Sequence, residues 1–186
     1  MSVENTEKVK VHARYPISSV FIYNGTTILH YLLGGLGIVL GYNFIKIGYP
    51  AGLVYIAFAF IQMYIIMPMK VCPNCVYYRM DKGLCVSGLN VFSRKIARQG
   101  NLEDFPGRAK GVLSHNKLYM AAKIFPILAI IPALIINFSL VLLVVFLVVL
   151  GLMVFRIFVI FPKIACIRCA AKKNCPNAQS MGLSNT

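Results

Sequence analysis

Two long apolar blocks, Ile28 to Met69 and Leu118 to Phe161, dominate the chain. One membrane crossing needs about 20 residues, so each block is long enough for two. A single helix of about 44 residues would extend about 66 Å, roughly twice the hydrocarbon core. Polar breaks at Lys46-Ile47-Gly48-Tyr49-Pro50 and Asn137-Phe138-Ser139 divide the blocks, which predicts spans over 24–45, 50–69, 118–137 and 140–161. The expected fold is an all-α membrane protein: four transmembrane helices in two hairpins, with a short cysteine-containing loop and tail. The parts are an N-terminal segment (1–23), hairpin 1 (24–69), a basic loop (70–117), hairpin 2 (118–161) and a tail (162–186).

Composition reinforces the membrane class: 59% of the 186 residues are hydrophobic and 13% charged, outside the soluble globular range. Charge then sets the expected orientation. Lys8, Lys10 and Arg14 precede the first span, nine Lys and Arg from Lys70 to Lys117 lie between the second and third, and Lys163, Arg168, Lys172 and Lys173 follow the fourth. Lys46 alone occupies the opposite turns, so the positive-inside rule predicts a cytoplasmic-membrane protein with both termini and the loop cytoplasmic. The first 20 residues hold Glu4, Glu7, Lys8, Lys10 and Arg14 without an apolar core, and no cleavable signal is expected there. The net charge of +14 reflects this topology and attraction to anionic lipid, and no nucleic-acid partner is expected. It also suits docking of an acidic soluble protein.

The halves echo each other. Pro68 and Pro162 each precede a C-x-x-C pair at the same offset, giving Cys72 and Cys75, then Cys166 and Cys169; Cys85 and Cys175 follow. A pseudo-repeat of two parallel hairpins would bring both pairs to one membrane surface. In the loop, Leu89, Val91, Phe92, Ile96 and Ala97, with Arg94, Lys95 and Arg98 opposite, predict a short amphipathic helix lying along the membrane. Residues 101–107 read as a turn and 176–186 as a frayed tail.

All six cysteines fall just outside the predicted spans, a placement that points to chemistry rather than packing. A reducing cytoplasmic face disfavours structural disulfides and makes metal ligation the leading expectation. Cys72, Cys75, Cys166 and Cys169 form a four-thiolate set suited to zinc, one iron or a [4Fe-4S] cluster. The additional Cys85 and Cys175 favour iron–sulfur, with His115, Asp81 or a partner group as possible further ligands.

Each predicted span carries one polar residue about five to seven residues deep, roughly 7–10 Å below the surface: His30, Gln62, Lys123 and Arg156. Lys123 and Arg156 lie near enough to the interface to snorkel. Together the four suggest a cofactor-binding layer for a quinone headgroup, with His30 handling a proton. Gly34, Gly37 and Gly41 predict a close helix contact. Tyr23, Tyr49, Tyr77, Tyr78 and Tyr119 read as interfacial belt residues, and His12 as solvated.

Four helices with C-x-x-C elements at a membrane surface resemble, in topology, the quinone-linked thiol oxidoreductases of the disulfide-bond-forming and vitamin K epoxide reductase type. In those the reactive cysteines face the oxidising side, whereas the charge bias here puts them on the reducing side. The long loop resembles that of protein palmitoyltransferases, without their Asp-His-His-Cys element. The expected function is therefore a non-catalytic membrane subunit carrying iron–sulfur at the cytoplasmic face, between a soluble redox protein and membrane quinone. A zinc-stabilised adaptor and a quinone-linked thiol oxidoreductase are the alternatives; a membrane complex would supply companion subunits, and no catalytic residue is assigned.

Overall fold

The computed structural model of the chain describes residues 11–111 and 113–183; the charges expected at positions 4–10 of the N-terminal segment, and residues 184–186 of the tail, lie outside them. Among the described residues seven α-helices follow one another: α1 (Ile17–Tyr42), α2 (Gly48–Phe60), α3 (Val76–Arg79), α4 (Leu89–Ile96), α5 (His115–Ile136), α6 (Leu140–Phe155) and α7 (Pro176–Ser180). Two of them run on without a break into π-helices, α2 through Ile61–Val71 and α6 through Arg156–Ala165. No strand forms among the described residues, only isolated parallel bridges between His12 and Cys169 and between Arg14 and Leu84.

Among the described residues, four segments are long and apolar enough to cross a membrane: Ile17–Ile45, Gly48–Asn74, His115–Ile136 and Leu140–Ala165. The chain is accordingly a multi-pass membrane protein. All four of these segments outreach the predicted spans at the cysteine-bearing end, because helical hydrogen bonding continues beyond the apolar stretch. The first begins where Pro16, at φ −61° and ψ 144°, stands as its N-cap.

The bundle is drawn together by glycines of α1, which packs against α2, α5 and α6. A Cβ added at Gly41 would stand 2.6 Å from the Ala133 Cβ, and one at Gly34 would stand 2.8 Å from the Pro126 Cβ. Toward α2, a Cβ at Gly52 would meet the Gly35 carbonyl at 2.8 Å. Small residues thus let the backbones approach closely on two sides of α1, which replaces the hydrophobic drive absent between helices in lipid.

At the cysteine-bearing end several expectations are overturned. The expected helix α4 does form, with Val91, Phe92 and Ile96 outward at 45–48% exposure. Asn90 and Ser93, which the apolar pattern does not single out, are buried on its inner side against backbone carbonyls. The expected frayed tail is instead the helix α7, anchored by the fully buried Ala178. Tyr23, Tyr77 and Tyr119 are interior residues rather than belt residues. Lys123 and Arg156 do not snorkel: each is 2% exposed.

Candidate functional site

The two π-helical exits are built alike. In the first, the Cys72 N–H donates to the Met67 carbonyl; in the second, the Cys166 N–H donates to the Phe161 carbonyl at 2.7 Å. Each is a five-residue hydrogen bond, wider than the α-helical four. Each exit also contains a proline, Pro68 or Pro162, which lacks the N–H an α-helix would use and crowds the preceding turn. Widening the helix accommodates it, and such π segments recur at functional sites. The C-x-x-C pairs then close with matching turns, Cys75 N–H to Cys72 carbonyl at 3.1 Å and Cys169 N–H to Cys166 carbonyl at 3.2 Å.

All six cysteines, Cys72, Cys75, Cys85, Cys166, Cys169 and Cys175, line one cavity of about 100 Å³ between these exits. None is paired in a disulfide. The free space is several times the ~10–15 Å³ that one water needs. No three His, Cys, Asp or Glu side chains among the described residues stand close enough together to hold a single metal ion. Arg108 lines the chamber; Tyr23 and Phe161 form part of its wall. His115 and Asp81, considered as further ligands, are not among the lining residues.

Residues without an obvious sequence signal hold the chamber in shape. Asn90, 1% exposed, donates to the carbonyls of Tyr77 (3.2 Å) and Gly83 (2.9 Å) and accepts the Cys85 N–H at 3.1 Å. Ser93 donates to the Pro68 carbonyl at 2.5 Å, tying α4 to the first exit. Arg94 donates to the carbonyls of Tyr77, Met80, Asp81 and Gly83 at 2.6–3.2 Å, fixing the loop before Cys85. The segment before α1 crosses between the two cysteine regions. His12 N–H donates to the Arg168 carbonyl at 2.9 Å, Tyr15 N–H donates to Leu84, and the Tyr15 hydroxyl donates to Ala165. His12, expected to be solvated, also accepts the Tyr77 hydroxyl on its carbonyl at 2.5 Å.

Burial pushes the Cys75 and Cys166 thiols up to about 12 each, opposed in part by the Arg108 guanidinium, and it raises Cys169 as well. Reactive thiolates have the opposite character, with lowered values in electropositive, accessible surroundings. A metal entering here would have to displace protons.

Beneath the chamber lies the polar layer. Arg156 donates to the Tyr119 hydroxyl, to the Tyr23 carbonyl at 3.0 Å and to Thr27 Oγ1 at 2.5 Å. Its guanidinium stands 4.1 Å over the Tyr23 ring and 5.2 Å from that of Phe161, the two chamber-wall rings. The Lys123 ammonium sits 4.2 Å over the Tyr31 ring without a hydrogen-bond acceptor. His30 Nε2 lies 3.1 Å from the Lys123 carbonyl, and Gln62 donates to His115 Nδ1 at 3.1 Å. The four predicted layer residues thus connect to one another through tyrosines and His115. They are 0–2% exposed and line neither the chamber nor the second cleft described below.

Fold and site together define a four-span membrane protein with a six-cysteine chamber at one end of its bundle. The chain shows no match to any family model, curated protein or solved structure with which it was compared.

Proposed function

We propose that this chain is a membrane subunit that holds an iron–sulfur cluster in the six-cysteine chamber and passes electrons from a soluble redox protein to membrane quinone. The observation that carries the reading is the convergence of all six thiols, from two separate stretches of chain, on one cavity. Six thiols around one cavity exceed the four that a single zinc takes, which favours a polynuclear centre. Cys72, Cys75, Cys166 and Cys169 would be the primary ligands, with Cys85 and Cys175 completing a second set or replacing one of them.

Charge supports the same reading. A cluster bound by four thiolates is a net anion, and burying it calls for nearby positive charge. Arg108 lines the chamber and Arg156 lies behind its Tyr23 and Phe161 wall. The five acidic residues of the chain are Glu4, Glu7, Asp81, Glu103 and Asp104, none of them within the apolar spans. The matched exits support two parallel hairpins related as a pseudo-repeat. The bias of Lys and Arg supports a cytoplasmic chamber, both termini on that side, and a basic face on which an acidic soluble partner docks. Reducing a quinone to quinol takes two electrons and two protons; the partner supplies the electrons singly through the cluster, and water supplies the protons.

Anaerobic purification in mild detergent, iron and acid-labile sulfide analysis, and electron paramagnetic resonance before and after dithionite test the reading. Iron with sulfide and a reducible signal is expected. Zinc alone would make the chamber a structural clamp between the two halves, and colourless protein with neither metal would overturn the cluster.

A further inference from the structure

Beside the chamber is a second, larger cleft of about 500 Å³ at the start of α5, within the range of small-molecule sites. We infer that this cleft, rather than the His30 layer, is the binding site for the quinone headgroup; the inference rests on the electron-transfer reading above. Val71, Phe105 and Arg108 line both cavities, so a ligand in the cleft is one side chain away from the chamber.

The cleft floor offers donors that the protein leaves unused. Ser114 is the N-cap of α5, yet its hydroxyl makes no capping bond and no other hydrogen bond, and the residue is 7% exposed. An N-cap serine ordinarily bonds its own helix, and a buried hydroxyl without a partner is costly. Next to it, His115 lines the cleft with Nδ1 3.1 Å from the Gln62 amide nitrogen, and an amide donating there puts the ring proton on Nε2. A quinone carbonyl accepts from hydroxyl and imidazole donors of this kind. Lys70, Lys110 and Arg108 outnumber Asp104 around the cleft, and the positive end of α5 points into the same region. All would stabilise the negative charge that reduction places on the ring. Ile66, Leu113 and Leu118 give the cleft an apolar side, and Leu113 is 80% exposed, an exit for an isoprenoid tail into lipid.

Photolabelling of the full-length protein in detergent with an azido-quinone, followed by peptide mass spectrometry, tests the site. Label is expected on the peptide spanning 113–118, displaced by excess unlabelled quinone. Ser114→Ala should lower labelling about tenfold, the loss of one hydrogen bond to a buried group. Leu113→Trp, at an exposed position that folding does not need, should block entry. Label confined to the His30 layer, no label, or labelling unchanged in both variants overturns the inference. So does displacement by phosphatidylglycerol but not by quinone, which would make the cleft an anionic-lipid site. Iron and sulfide measured on the same sample separate the two readings: label in the cleft without iron leaves the site standing and removes the cluster, and iron without label does the reverse.

Discussion

The contribution of Asn90 to the chamber can be isolated with one substitution. In Asn90→Ala, three hydrogen bonds disappear, to the Tyr77 and Gly83 carbonyls and from the Cys85 N–H. The two carbonyls keep a partner, since Arg94 NH2 also donates to them at 2.9 Å and 3.2 Å. The Cys85 N–H does not, and a buried donor left unsatisfied costs roughly 1–3 kcal/mol. Taking about 2 kcal/mol, local opening at Cys85 becomes about 30-fold more frequent. Hydrogen exchange at the Cys85 amide, read by mass spectrometry with site-resolved fragmentation, should accelerate by that factor. Arg94→Ala serves as the contrast: it removes the donor to the Asp81 carbonyl and one of two to the Met80 carbonyl, which keeps the Gly83 N–H, and leaves the Cys85 bond intact. Acceleration at Cys85 of less than threefold in Asn90→Ala, or equal acceleration in both variants, would refute this account of the loop.

Four further expectations follow. Gly41→Ala should destabilise the bundle by about 1–3 kcal/mol, because the new methyl meets a Cβ that cannot rotate away; Gly25→Ala, with nothing within 4 Å, should be neutral, and thermal unfolding in detergent compares them. Arg156→Met should cost about 1–3 kcal/mol, mainly by leaving the buried Tyr119 hydroxyl without its partner, since Thr27 still donates to the Tyr23 carbonyl. Lys123→Met should be neutral or stabilising, since the ammonium lacks an acceptor; a large loss of thermal stability there would reveal a partner for it. Cys72→Ser combined with Cys166→Ser should abolish bound iron, measured by elemental analysis, while circular dichroism retains the helical signal.

The four spans were legible because apolar length is a strong signal and Lys46 and Asn137 interrupt it clearly. The shared offset from Pro68 and Pro162 to their cysteines likewise indicated a common surface, and the six cysteines do line one cavity. The π-helical widening left no pattern to read, since it alters the turn and not the residue types. The inward side of α4 was not legible, because an amphipathic helix is read by its apolar residues, whereas Asn90 and Ser93 find their carbonyl partners only once the chain is folded. Arg156 seemed positioned to snorkel; Thr27, Tyr23 and Tyr119, scattered over two other helices, satisfy it in place, and such partners appear only once the helices are packed. Nothing in the sequence marks Ser114, and its idle hydroxyl is visible only in three dimensions.

The strand-like passage of residues 12–15 between Leu84 and Cys169 also orders events during synthesis. Made before the residues it joins, it cannot take up its full set of partners until Ala165, Arg168 and Cys169 have been made and the fourth span inserted. Until then the two cysteine regions lack the backbone bonds that this segment makes to each of them, and a stretch that precedes all four spans is a seam that closes after them.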